Sequence, residues 1–433
     1  MSKNRVLGIS KRVVYPVNNR TSFAFKNGNS QLEFEISPMD QALLDTKSLR
    51  LNFMFRVLDD TTTVNAQTPI RVNNQGTNGQ TEKTCLMDSR VGINSIIDVL
   101  RAKNFNSESI FEVRNYSRLL ASSNPVLNSF GAYKTYTAQK NLAFAKESTT
   151  GLAINGDNFM SIPLRSGLFN SGSPLNTLDM NGLRISCLLA PDSYVLYSAG
   201  ANSHASNCHY ELSDVSLSYN TINLENRLMP GQEMYRFPSY QSYTSIIAAS
   251  DDTQSLMLSL ESVRAIFSNF VKTSHINNFS RNSLETNKLQ DANAEDKDIK
   301  QLVYTRNNIK MPKLYSIDEN EAVKSDCYDA FRGSQFLDAF RPFQSYTSTL
   351  QSAVTEGFKS PEPGQDQPDV KSVYGIASNQ DLLFTGAGVS YDNSQFAVRI
   401  NSQLEDGTPN TSFTFALHNS GLAVKKSNIE SLE

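Results

Sequence analysis

Tryptophan is missing from these 433 residues, and histidine and cysteine number only four each. Four histidines leave little material for general bases or metal ligands. There is no His-x-His pair with a following carboxylate and no G-x-S-x-G. Nor is there a phosphate-binding glycine loop leading into a helix; GAGVSYD (386–392) precedes alternating residues and reads as a turn. Cys85 has no histidine near it in sequence to activate a thiolate. Catalysis is therefore not expected. The four cysteines lack paired spacing, which argues against a disulfide framework and for reduced thiols in a cytosol-like compartment. No apolar run approaches the ~18 residues of a membrane-spanning helix. The start, MSKNRVLGISKRVVYPVNNR, has no apolar core of a secretory signal. A net charge of −3 gives no broad basic face, so a dedicated nucleic-acid binder is not expected.

What the chain does have is 39% apolar residues, with 24 Phe and 17 Tyr among many Ser, Asn and Thr. That mixture favours packed β-structure joined by long polar loops. The length exceeds what one core usually serves, so two domains are expected. Alternating strands are predicted at 30–37, 49–58, 158–164, 183–191 and 209–222 in the first half. A slip of register between Leu212 and Val215 predicts a bulge. In the second half strands are predicted at 240–249, 255–271, 395–404 and 410–424, a strand leading into a turn at 299–315, and a helix or helical pair at 325–340. Polar stretches 59–84, 280–300 and 355–372 read as loops.

Two segments stand apart. In 92–125, apolar residues alternate from Ile93 to Arg101 as in a strand buried on both faces. From Glu108 the spacing of Ile110, Val113, Tyr116 and Leu120 predicts a short helix ending near Pro125. Residues 1–32 hold Lys3, Arg5, Lys11, Arg12, Arg20 and Lys26 and no acid, which predicts either a solvated arm or one that meets an anionic surface. His204, Cys208 and His209, with Cys187 one strand earlier, could offer zinc ligands. The H-x3-C-H spacing fits no metal motif, and adjacent His209 and Tyr210 point to opposite sides of a strand. They read as ordinary polar loop residues, and no metal or cofactor is expected.

The two halves repeat one order of elements: paired long strands, a polar loop, a buried strand and helix, and two closing strands. LRIS (183–186) and VRIN (398–401) occupy matching places. The economical organisation is two β-sandwiches, each with an inserted helix. A basic arm covers 1–20, a first sandwich 21–225 and a second 226–433, with Pro230-Gly231 near the boundary.

The strand GINSIIDVLRAK, the following IFEVRNYSRLL with its Asn115-Tyr116-Ser117-Arg118-Leu119 pattern, YTRNNIKMPKLY and YELSDVSLSYNTI resemble the double jelly-roll major capsid proteins of virophages, Polinton-like viruses and large nucleocytoplasmic DNA viruses. The resemblance implies two tandem eight-stranded jelly rolls. It implies homotrimers that form pseudo-hexameric capsomers of an icosahedral shell around DNA, commonly over an internal membrane. The partners it implies are sister copies, neighbouring capsomers, penton and minor capsid proteins, and the location is the virion. Lys3, Arg5, Lys11 and Arg12 would then face lipid or genome on the inner surface, and the helix would pack across an open end of the sandwich. A different reading is a two-domain β-sandwich that binds carbohydrate or a receptor through Tyr-rich loops such as FPSYQSYTS (237–245), although the lack of Trp weakens it. An enzyme on a β-scaffold is the least favoured.

Overall fold

The structure is a computed structural model of the chain. It describes residues 5–17, 23–24, 30–59, 68–72, 84–85, 87–88, 91–127, 158–165, 167–170, 173–197, 208–228, 232–248, 251–260, 262–284, 301–311, 317–318, 359–360, 369–370, 374–377, 390, 395–401, 409–425 and 428–432.

The first half supplies eight principal strands: β1 (Val6–Val14), β2 (Gln31–Ile36), β3 (Ala42–Asp59), β4 (Ile97–Lys103), β5 (Ser109–Val113), β6 (Asn158–Pro163), β7 (Leu183–Leu189) and β8 (Cys208–Leu224). They form two antiparallel sheets, ordered β1-β8-β3-β6 and β2-β7-β4-β5. The chain changes sheet at every connection except the β4–β5 hairpin, the winding of a jelly roll. Alternation explains the core. Leu49, Leu51, Phe53, Phe55 and Val57 of β3 all point inward. They meet Leu32, Phe34 and Ile36 of β2 and Leu183, Ile185, Cys187 and Leu189 of β7 in one buried cluster. Tyr210 of β8 stacks on Phe55 with 6.2 Å between ring centroids. Its hydroxyl donates to the Ala190 carbonyl, so the phenol is buried with its polar tip satisfied.

The predicted slip in β8 is a bulge. Between Ser213 and Ser216 the pairing with β3 advances three residues against two, and Asp214 takes φ 50°. The extra residue lets both Leu212 and Val215 face the core.

The second half repeats this design. Its strands are β9 (Gln232–Ile247), β10 (Asp251–Met257), β11 (Val263–Lys272), β12 (Gln301–Arg306), β13 (Ile309–Met311), β14 (Tyr374–Ala377), β15 (Gln395–Asn401) and β16 (Asn410–Lys425). The sheets run β9-β16-β11-β14 and β10-β15-β12-β13. Adding eight to each label of the first half gives the order in the second, so the chain is two tandem jelly rolls of one topology. LRIS and VRIN lie in β7 and β15, the seventh strand of each roll. The link between rolls follows Leu224. Glu225 still donates its N–H to the Arg5 carbonyl and Leu228 to that of Asp40, so the first roll holds the chain just beyond the expected boundary at residue 225.

Several expectations need correction. The N-terminus is not wholly an arm: Val6–Val14 is an edge strand paired with β8 along its length. Residues Gly92–Ile96 form a 3-10 turn, and the strand begins only at Ile97. The helix begins at Tyr116 rather than Glu108 and runs to Leu127, past Pro125. Ile110 and Val113 have a spacing common to a helix face and to a twisted strand, and the hydrogen bonds of β4 claim them for β5. The run 255–271 divides into β10 and β11. The strand and turn expected at 299–315 are β12 and the bend through Asn307 and Asn308 at positive φ, which continues into β13 as a hairpin. The predicted helix at 325–340 and most of the three polar loops lie outside the described residues.

Phe53 is fully enclosed. Phe53→Ala leaves a cavity in the first roll and is expected to lower stability by about 3–5 kcal/mol, read as a shift of the denaturant midpoint at unchanged slope.

Candidate functional site

The β5–α1 segment that opened the sequence puzzle is where the two rolls meet. Asn115, at φ 53°, turns the chain out of β5, and its carbonyl accepts the Leu119 N–H at the start of α1 (Tyr116–Leu127). A short polar residue tolerates this left-handed backbone better than a bulky one. The turn brings Tyr116, Arg118, Leu119 and Leu120 into buried positions. The Tyr116 hydroxyl accepts the Arg165 N–H at 2.9 Å, tying the helix to its own roll.

Arg118 crosses the junction. It is 0% exposed. Its guanidinium lies 4.0 Å over the Phe413 ring of β16, an attraction between cation and π-face that strengthens away from water. Nη1 donates to Asn269 Oδ1 of β11 at 3.4 Å, and Nη2 donates to the Ser283 carbonyl. Around it the contacts are polar and directional. Asn282 Nδ2 donates to Asp88 Oδ2 at 2.8 Å, Ser283 Oγ donates to the Ser193 carbonyl at 3.0 Å, and Asn115 Nδ2 donates to Thr244 Oγ1 at 3.3 Å. The apolar part is an aromatic group: Phe111 stands edge-on to Phe169 at 5.0 Å and to Phe237 of β9 at 6.5 Å. Gly167, at φ 51°, passes so close that a Cβ there would sit 2.9 Å from the Phe111 ring. Any side chain at that position would displace the ring.

The register shows which face of the second roll is used. Phe413, Phe415 and Leu417 of β16 join the same buried cluster as the first roll's core. The alternate residues turn into the second sandwich, where Ser412 Oγ donates to Gln254 Oε1 on β10 at 2.6 Å. The outer face of β9-β16-β11 is thus covered by β5 and α1. Phe237 and Tyr240, which a sugar-stacking loop would expose, are buried there. Burial, and then the nearby Tyr116, raise the Tyr240 phenol pKa. Burial opposes ionisation of Glu112 on β5, but Arg101 at 2.6 Å and Arg114 at 2.5 Å hold its carboxyl below the usual range.

The basic residues expected on an inner surface are dispersed. Lys3 lies outside the described residues. Arg5 is exposed just before β1, while Lys11 and Arg12 are exposed on β1 opposite Asn220 and Tyr219. Neighbours in a strand, they point to opposite faces. Of the residues weighed as zinc ligands, His204 is outside the described part. Cys208 and His209 begin β8 rather than lying in a loop, with Cys208 in the core and His209 Nε2 3.4 Å from Glu211 Oε1. Cys187 is on β7 in the opposite sheet. Among the described residues no group of three His, Cys, Asp or Glu is placed to hold a metal ion. Burial pushes the Cys187 thiol up to about 12, and burial followed by Cys208 raises Cys85, which suits packing rather than nucleophilic chemistry.

Sequence reasoning expected a helix here but counted Ile110 and Val113 of β5 on its stripe, and it passed over Arg118, the residue that joins the rolls. A charged residue at i+2 from Tyr116 reads as solvent-facing when only one roll is considered.

No family model and no curated protein matches the chain. Solved structures do. The PBCV-1 virus capsid aligns with 100% of this chain and 98% of its own at 10% identity, TM-score 0.59. The Faustovirus major capsid protein covers 98% and 92% at 10% identity, TM-score 0.58. The Sputnik virophage structure covers 100% and 89% at 12% identity, TM-score 0.57. At such identities the likeness is one of fold, and it spans both rolls and their arrangement.

Replacing Arg118 by Met keeps volume but removes the cation and its donors, leaving Asn269 and the Ser283 carbonyl short of a partner. Arg118→Met is expected to cost about 3 kcal/mol or more and to split calorimetric unfolding into two transitions, one per roll.

Proposed function

We propose that this chain, folded as the capsid proteins above are, is a structural subunit of an icosahedral viral capsid that works as a homotrimeric, pseudo-hexameric capsomer. One observation carries the reading: two rolls of identical winding are fixed to each other by a buried junction around Arg118. Three such chains present six similar lobes, and six lobes suit tiling in a hexagonal net. A contact that joins different faces closes into a ring when its rotation permits. An obligate trimer of this kind would bury upwards of ~2,000 Å² per contact. Neighbouring capsomers, penton and minor capsid proteins are its partners, the virion is its location, and its task needs no catalysis.

Contact with an internal membrane or DNA through the N-terminus belongs to this proposal in narrower form. Arg5 precedes β1 and carries that contact, whereas Lys11 and Arg12 are committed to a paired strand. Removing residues 1–20 would strip β1 from its sheet and test folding instead of that contact.

Native mass measurement is expected to give about three times 48.1 kDa, with three-lobed hexagonal particles in micrographs; a stable monomer at micromolar concentration would sink the capsomer.

A further inference from the structure

The two rolls share a winding but not a distribution of apolar surface. In the first, the inward positions of the central strands are apolar: Leu51, Phe53 and Phe55 on β3, and Leu212, Val215 and Leu217 on β8. The alternate positions are polar, and Asn52 Nδ2 of β3 donates to Ser218 Oγ of β8 at 3.0 Å on the outer face. Adding eight to each label leads to β11 and β16, where the arrangement is reversed. β16 turns Phe413, Phe415 and Leu417 outward onto the first roll, and Ser412, Thr414 and Ala416 into its own sandwich.

The interior of the second roll therefore has a polar middle. Ser268 of β11 and Thr414 of β16 pair across the sheet, and their buried hydroxyls bond at 2.8 Å. Two residues along, Ser412 Oγ donates to Gln254 Oε1 of β10 at 2.6 Å, a bond that runs from one sheet to the other. Gln254 is 8% exposed, and its Nε2 has no hydrogen-bond partner among the described residues. Apolar residues line the rest: Ile266 and Phe270 flank Ser268 on β11, with Leu256 of β10 and Phe396 and Val398 of β15 in the facing sheet. A hydroxyl pair returns little when buried, because it exchanges one set of hydrogen bonds for another, and an amide hydrogen left without an acceptor is a net cost. The large apolar side chains of β16, which stabilise most by leaving water, are on the seam with the first roll instead.

We infer that the second roll is not a self-sufficient domain: it keeps its fold only while β16 is seated on β5 and α1 of the first roll. The first roll folds first and the second condenses on it, in the order in which the chain is made. This concerns folding within one chain and stands apart from the capsomer reading. Two sandwiches of one topology could otherwise fold separately and be joined afterwards. A second roll without its neighbour exposes Phe413, Phe415, Leu417 and Tyr240 to water and retains a core with a polar centre. The first roll directs its apolar residues inward, and its contribution to the seam includes Arg118, a side chain that water solvates well. The reversal also guards register. A slip of β16 by one residue would carry three large apolar side chains into the sandwich and the hydroxyls onto the seam, unfavourable on both faces. Docking and folding of the second roll are thus one event, and undocking opens it.

Hydrogen exchange of the full chain, followed by peptide mass at rising denaturant below the global midpoint, tests this. In wild type, peptides of β10, β11, β15 and β16 are expected to open together, about tenfold or more as often as those of β3, β7 and β8. Phe415→Ala, on the seam, is expected to raise that opening about 100-fold, in β10 and β15 of the other sheet as much as in β16, with first-roll peptides unchanged. The Ser268→Ala/Thr414→Val pair removes both partners of one buried bond at nearly constant volume and is expected to slow opening in the second roll alone. Equal protection of the two rolls, first-roll opening ahead of the second, or a Phe415→Ala effect confined to β16 and the strands paired with it would overturn the inference. Should Phe415→Ala yield no folded chain, the wild-type order of opening decides by itself: the second roll opens first, or the inference falls.

Discussion

A guanidinium sealed from water sets the geometry on which everything else rests. Arg118 leaves one roll and ends in another, between the ring of Phe413, the amide of Asn269 and the carbonyl of Ser283. A buried cation adds little net stability, because desolvation offsets much of what its partners return. It does penalise every arrangement that fails to supply those partners. The aromatic group around Phe111 provides attraction without much direction, and Arg118 with Asn282 and Ser283 provides direction. Together they turn two sandwiches into one body with a fixed relation between its lobes.

That fixed relation explains why a helix interrupts a β-protein at this place. A jelly roll covers its inner faces by packing one sheet on the other, but its outer faces remain. The insertion after the fifth strand supplies a ridge, α1, that fits the outer face of the next roll.

Legibility in the sequence followed the reach of the interactions. Strands β3, β7, β8 and β16 could be placed because their alternation reports one local fact, which side of a pleat faces a core. The bulge in β8 was visible for the same reason: a slip of parity between Leu212 and Val215 has no other use. The β5–α1 boundary was misplaced because Ile110 and Val113 satisfy both periods, and only the partner strand β4 decides between them. β1 was taken for part of an arm because its charges are basic and most of its apolar residues, Val6, Leu7, Ile9 and Val13, are exposed. Nothing in the local pattern reveals that β8, some 200 residues later, will pair with it.

The order of elements in two similar halves, the alternation that fills each sandwich and the scarcity of catalytic side chains were all determined by the sequence itself, because each depends on neighbours a few residues apart. Which sheet face stays open, which helix residue crosses to the other roll and where the basic residues end up were decided only by the tertiary structure. Those outcomes depend on strands paired across the length of the chain, and a one-dimensional pattern carries parity but not partners.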